Sequence, residues 1–334
     1  MPATAVKTIQ LNTTGESNWG ATGAATRKVR GVTDATLKIA SALEVIPSLG
    51  WYGPSPEAEE SAQSGEGSID MIASYEELTR IFNGVFTAIA ASTTTSGAPY
   101  GYPYTAPVLS TQASYTYTLE YGTTGACYRA PGSIINSLTI RGAAGGLWEL
   151  TADILAKQIV ASSSGLSSGT ILERINPIRM ADTKLYVDAF STGTMGGTTM
   201  AATLIDFELT INPNRHLKTF AGSVNPSSWG DGKWESTLRL TAEYNASAKA
   251  LVNELLGSTG AVVKRQIRIG ALEGTSCSVK SVNLDFWGVK TEGETLFGDR
   301  DGNMTVELNW VGLYSTGTSG WFSATVQNGS SSTT

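Results

Sequence analysis

The residues of this chain that could do chemistry are few and poorly placed for it. Gly165-Leu166-Ser167-Ser168-Gly169 matches the G-x-S-x-G pattern of a nucleophile elbow. Such an elbow needs a strand before it, a helix after it and a histidine to take the serine proton. Here it lies in a Ser/Gly run, and the only histidine is His216. His216 with Cys127 and Cys277 would make an improvised cluster that lacks the ligand spacing of a metal site. Asp299, Asp301 and Asn303 resemble the start of a calcium loop, but Gly302 falls where no calcium loop needs it and no Glu closes the run. Asp301-Gly302 reads as a tight hairpin turn instead. Glu76/Glu77 stand at a predicted helix start, where adjacent acids suit the helix dipole. Glu59/Glu60 belong to an acidic loop. No G-x-x-x-x-G-K-S/T phosphate loop is present. The expectation is no catalytic, metal or cofactor site, and no enzyme.

The elements that would have to position such residues point elsewhere. Tyr115, Tyr117, Leu119 and Tyr121 alternate with Thr116, Thr118 and Glu120, and Val306, Leu308 and Trp310 alternate with Glu307 and Asn309. Leu37, Ile39, Leu43 and Val45 stand on alternate positions around Lys38 and Glu44. Period-2 alternation rich in β-branched and aromatic residues marks half-buried strands. The fold class is therefore mainly β, with sheets packed as a sandwich or closed as a barrel.

The pattern also repeats. Asp34-Ala35-Thr36-Leu37-Lys38-Ile39 returns as Asp206-Phe207-Glu208-Leu209-Thr210-Ile211, and Ile69 to Tyr75 returns as Leu238 to Tyr244. Leu78, Ile81, Phe82 and Val85 form one helical face after the first of these strands, extended by Phe86. Its counterpart, Ala246 to Leu256, carries Leu251 and Leu255 before Gly257. Farther on, Ile135 to Ile140 matches Val279 to Leu284, and Leu150, Ala152 and Ile154 match Val306, Leu308 and Trp310. Ordered matches of this kind predict two tandem copies of one β domain, each with one flanking helix. The copies span 1–165 and 166–334, with a Ser/Gly linker at about 161–170 and a frayed tail at 329–334. Cys127 and Cys277 are expected to be equivalent small buried residues, one per copy.

Composition fits assembly better than catalysis. A length of 334 residues suggests two domains. Charged residues make up only 16%, and hydrophobic residues 41%, which suggests surfaces covered by partners, because interface cores exclude charge. The formal charge of −6 argues against a grip on nucleic-acid phosphates and suits a surface past which a polyanion slides. No apolar stretch is long enough for a membrane helix, and Met1 to Leu11 lacks a signal pattern, so a cytoplasmic chain is expected.

The loops differ between copies. Pro47, Trp51, Tyr52 and Pro54 sit in a long loop between Ile39 and Ile69, and Arg215, Phe220, Trp229 and Trp234 in a shorter one. A Tyr/Pro insertion carries Tyr100, Tyr102 and Tyr104. Long loops rich in aromatics and prolines are expected to dock a partner.

From Gly15 to Gly20, through Thr33 to Ile39, Gly67 to Tyr75 and the helix to Phe86, and again from Leu204 to Leu256 with Cys277 to Val282, the chain resembles the major tail tube protein of long-tailed, siphovirus-type bacteriophages in a two-domain form. That resemblance implies sheets joined edge to edge between subunits into an inner β-barrel, and rings stacked into a hollow tube that conducts viral DNA without sequence-specific binding. Three duplicated chains would make a pseudo-hexameric ring. Pro47, Trp51, Tyr52, Pro54, Arg215, Phe220, Trp229 and Trp234 would touch the next ring, Tyr100, Tyr102 and Tyr104 another interface, while Leu78, Phe82, Phe86, Leu251 and Leu255 would be the paired helix positions. The implied partners are further copies of the chain, a tape-measure protein and the tail terminator and tip proteins, with no membrane insertion. The implied location is the virion tail, assembled in the host cytoplasm. The alternative is a carbohydrate-binding β-sandwich whose loop aromatics stack on sugars.

Overall fold

The computed structural model describes the chain except residues 1–6, 13–14, 22–23, 48–52, 55–56, 88, 90–99, 109–114, 124, 163–165, 167–168, 170–174, 191–194, 201–202, 258–261, 275–279, 292–296, 301, 318–319 and 329–334, and the side chains of 255–257. Trp51, Tyr52, Ser167 and Cys277, and the Leu255 side chain, therefore lie outside the described residues.

The first half runs β1 (Thr8–Leu11), β2 (Arg27–Lys28), β3 (Val32–Ile46), β4 (Glu57–Ile72), α1 (Leu78–Val85), β5 (Tyr100–Thr105), β6 (Tyr117–Thr123), β7 (Ala126–Ala143), β8 (Trp148–Ala156) and β9 (Val160–Ser162). The second runs β10 (Thr183–Ala189), β11 (Thr199–Met200), β12 (Leu204–Asn212), β13 (His216–Lys218), β14 (Ser228–Gly230), β15 (Glu235–Glu243), α2 (Ala246–Gly257), β16 (Lys264–Glu273), β17 (Lys280–Lys290), β18 (Gly298–Arg300), β19 (Asn303–Gly312) and β20 (Phe322–Asn328). The fold is mainly β with two helices, as the alternation predicts.

The strands form two layers. One is a continuous wall in the order β3-β4-β8-β7-β12-β15-β19, with β18 and the end of β17 on the far side of β19. The other layer is in two parts: β9-β7-β6-β1-β2, and β11-β10-β16-β17-β20-β5. β7 belongs to both layers. Its first residues pair with β6 and β9, and from Ile134 onward it pairs with β8 and β12. The facing sides are apolar at every second position: Leu150, Ala152 and Ile154 of β8, Leu238, Leu240 and Ala242 of β15, and Val306, Leu308 and Trp310 of β19 are buried. These side chains belong to one hydrophobic cluster that continues from the first half into the second.

The strand pairing moves two of the sequence matches. Ile69 pairs with Ala35 and Ala152, and the residue holding that place between Phe207 and Leu308 is Leu240, not Leu238. Ile135 pairs with Ile154, whereas Lys290 is the residue that pairs with Trp310 on the matching side. Residues 175–180, which lie past the expected boundary, bond to the first half: Ile178 N–H donates to Ala73 O and Trp148 N–H to Ile178 O.

The expected long loops are also corrected. Most of the stretch between Ile39 and Ile69 is strand, a hairpin of 15 and 16 residues. The stretch after Ile211 holds its own small hairpin, β13–β14. The Tyr/Pro insertion is strand β5, added to the edge of β20 in the other half. Pro103 is tolerated there because β5, which among the described residues pairs with β20 alone, needs no second ladder.

Candidate assembly interfaces

Helix α1 shows how the two halves are joined. All its residues are buried, so it is enclosed, and not merely flanking. It begins beside Ser74, whose Oγ accepts from Glu77 N–H at 3.1 Å, and stops at Phe86, which is extended. Tyr104 and Tyr117 donate their hydroxyls to the Thr79 and Arg80 carbonyls at 2.8 and 2.7 Å. Glu76 accepts from Asn176 and from Lys280 Nζ, the latter at 2.6 Å. Its last turn contains no basic residue of its own.

Arg215 supplies that cation from the other half. Nη1 donates to Gly84 O at 2.6 Å and Ile135 O at 2.9 Å, and Nη2 to Val85 O at 2.7 Å. Nε reaches Asp231 Oδ1 at 3.0 Å. The guanidinium also lies 5.0 Å from the Trp229 ring centre and 5.9 Å from that of Trp234. A guanidinium fork at a helix C-terminus satisfies carbonyls that have no partner within the helix and meets the negative end of its dipole. Burial lowers the Arg215 pKa, and Asp231 opposes that shift.

The sequence places Arg215, Trp229 and Trp234 at a contact between rings, but the fold uses them inside one chain. Trp234 stacks on Phe86 at 5.9 Å. Tyr102 and Tyr104 are likewise fully buried, Tyr104 packing edge-on to Phe82 at 5.3 Å. Tyr100 is half-buried. Of the aromatic candidates among the described residues, Phe220 remains well exposed, at 59%. Leu78, Phe82 and Phe86 are core residues, and Leu251 is buried under α2, whose Lys249, Ala250, Asn253 and Glu254 are exposed.

Three features of the wall bear on assembly. The first is the edge of β3, which among the described residues pairs with β4 alone. Ala35 N–H donates to Asp34 Oδ1 and Ala35 O accepts from the Tyr121 hydroxyl, so Ala35 points away from β4. By antiparallel alternation Leu37 and Ile39 point the same way. The second is the hairpin itself. From Ser41 to Glu60 nearly every described residue of its strands is exposed, including Leu43 at 66% and Val45 at 63%. Pro47 and Pro54 are exposed at its end. The β13–β14 loop braces the shaft, Gln63 N–H donating to Val224 O at 3.0 Å. The third is the junction β7–β12, where Asp206 to Ile211 pair with Ala143 to Leu138. This junction shows what such an edge does when it meets a partner.

Open edges, a continuous wall and a projecting hairpin define a protein made to join other copies of itself. The family model described as phage tail tube protein matches residues 16–312. The chain belongs to that family, so it is a structural protein of the phage tail, a component of the virion that self-assembles into the tube. A comparison with curated proteins gave no match. No described helix is long and apolar enough to cross a membrane.

Proposed function

We propose that three copies of this chain close a ring whose inner wall is one continuous β-barrel, and that such rings stack into a tube through which viral DNA passes. The chain carries two tandem domains in this reading, divided at about 165, each giving four strands to the wall. β3-β4-β8-β7 is one unit and β12-β15-β19-β18 the other. Three chains then present six units.

The observation that carries the proposal is the β7–β12 junction beside the open β3 edge. β3 and β12 share their pairing, including a bulge between Val32 and Asp34 in one and between Leu204 and Asp206 in the other. β12 has its outer edge filled from within the chain. β3 has the same edge and, among the described residues, lacks that neighbour. A second copy supplies it with the stretch that carries β18, as β7 supplies β12. A heterologous contact of this kind closes a ring when its rotation closes. The hairpin end, with Pro47 and Pro54, and exposed Phe220 are left to reach the adjoining ring. Tape-measure, terminator and tip proteins would be met at the lumen and the tube ends. Free protein assembles in the host cytoplasm in this scheme.

Negative-stain images of concentrated protein should show hollow tubes whose end-on averages have three-fold symmetry. Protein that stays monomeric under every condition, or rings of another symmetry, would overturn the reading. The carbohydrate-binding alternative is not favoured: Trp229 and Trp234 already engage Arg215, which leaves no flat aromatic platform there for a sugar.

A further inference from the structure

The tip of the β3–β4 hairpin has two unlike faces. Leu43 pairs with Glu60, Glu44 with Glu59, Val45 with Ala58 and Ile46 with Glu57. Side chains alternate along a strand, so Glu44, Ile46, Glu57 and Glu59 share one face and Leu43, Val45, Ala58 and Glu60 the other. Every one of these residues is exposed. Glu44 and Glu59 are like charges directly opposite, an arrangement that destabilises a two-stranded ribbon by itself. No Lys or Arg occurs between Leu43 and Glu60. Lys38, lower on the shaft, is 3.0 Å from Glu66. The tip is thus a carboxylate-rich face backed by an apolar one.

The complementary surface lies at the other end of the same strand. A groove of about 680 Å³ opens between β1, β2 and the root of β3. Lys7, Lys28 and Arg30 line it beside Tyr121 and Val32, and Asp34 is the only carboxylate in its lining among the described residues. Lys7 is exposed and lies 5.6 Å from the Tyr121 ring centre, and Lys28 is half-buried. This cationic groove, with an aromatic wall, matches the tip in both charge and apolar character.

We propose that the hairpin tip of one copy docks, carboxylate face first, in the Lys7–Lys28–Arg30 groove of a second copy in the next ring. The proposal rests on the tube reading and names the receptor for its stacking contact. The geometry fixes the direction. Asp34 lies at the groove and Ile46 at the tip, and an extended strand rises about 3.3 Å per residue, so the two surfaces stand about 40 Å apart on one element. A tip cannot turn back into the groove at its own root. It reaches an equivalent groove only on a molecule displaced along the hairpin axis. Such a contact is head-to-tail and repeats without closing, which is the symmetry of a growing stack.

The test is a charge swap read by light scattering and electron microscopy at low ionic strength. Lys7→Glu with Lys28→Glu should slow polymerisation by about tenfold or more, because like charges then face each other across the contact. Glu57→Lys with Glu59→Lys should do the same. The protein carrying all four substitutions should regain the wild-type rate to within about threefold, which a merely misfolded groove or tip could not do. Thermal unfolding of each variant checks that its fold is native. If wild type forms tubes while both pairs polymerise normally, or while the four-fold variant stays as slow as either pair, the groove is not the receptor and the tube reading stands. If wild type forms no tubes, both are overturned.

Discussion

The two wall hairpins begin alike and end differently. β3–β4 and β12–β15 both bulge at their start and pair in the same alternation. β3 runs for 15 residues and its far end projects into solvent, whereas β12 ends after 9 and its connection folds down over α1. Each fate has a physical cause. Past Ala42 the described strand residues of the first hairpin are exposed on both faces. Past Ile211 the second meets Pro213 and Asn214, whose positive φ of 51° turns the chain, and Arg215 is then drawn to the open carbonyls of α1. One hairpin binds the molecule to itself; the other is left for something outside it. The same contrast divides the helices, α1 being wholly enclosed and α2 half exposed.

The largest expected effect comes from breaking the inward-turned hairpin. Arg215→Ala strips Gly84, Val85 and Ile135 of their donor and leaves Asp231, only 6% exposed, without its guanidinium. Removing one partner of a buried pair costs about 3–5 kcal/mol. Urea unfolding should show a loss of this size, and Arg215→Lys should recover only part of it, since a single ammonium cannot span three carbonyls and a carboxylate. A loss below about 1 kcal/mol would mean the connection merely rests on α1.

Next is the helix contrast. Glu77 is buried at the start of α1, and burial lifts its carboxyl to about 7, although Arg27 and Arg30 pull it down and Arg80 Nη1 lies 2.9 Å away. α2 has Ala246 near the corresponding position, capped by Asn245 Oδ1. A carboxyl whose folded pKa is raised holds its proton longer in the folded state. Its contribution is present in full below the unfolded pKa and is lost as pH rises through about 7. Between about pH 4.5 and 7 the wild type should lose up to about 3 kcal/mol through this group. Glu77→Gln should flatten that slope while leaving stability near pH 4 unchanged. Equal slopes in the two proteins would place the titration elsewhere.

Much of this contrast was legible in the chain and some was not. Alternation located β19, which buries Val306, Leu308 and Trp310, and the repeat led from it to β8, which buries Leu150, Ala152 and Ile154. Leu78, Ile81, Phe82 and Val85 marked α1 for the same reason. What periodicity could not convey was where partners come from. Arg215 is 131 positions from Gly84, so nothing local distinguishes it from a surface arginine. A signal existed, since α1 has no basic residue in its last turn, but a missing cap does not name its donor. Tyr100, Tyr102 and Tyr104 did alternate like a strand, and Pro103 hid it, because proline in a strand is read as loop until an edge is known. The returning strand of the hairpin, from Glu57 to Ser64, looked like loop for a related reason: with both faces largely solvated, nothing imposes apolar alternation.

The smallest effect on the isolated molecule should come from Ile39→Pro, and for that reason it tests the comparison most sharply. Ile39 and Ile211 hold the same place on the two hairpins, paired with Gly65 and Ser236. Both N–H groups point away from that pairing. The Ile211 group lies in the ladder with β7, where Ile211 pairs with Leu138. Among the described residues, the Ile39 group faces no strand of its own chain. Proline removes one N–H and is tolerated at a free edge but not in a central strand. Ile211→Pro should therefore cost about 1–3 kcal/mol and impair folding. Ile39→Pro, at a side chain 54% exposed, should cost less than about 1 kcal/mol and leave a monomer with native unfolding. If the β3 edge is where the next copy joins, that same monomer will close no rings. Tubes formed normally by Ile39→Pro would show that the open edge of β3 stays open, and that copies meet through some other surface.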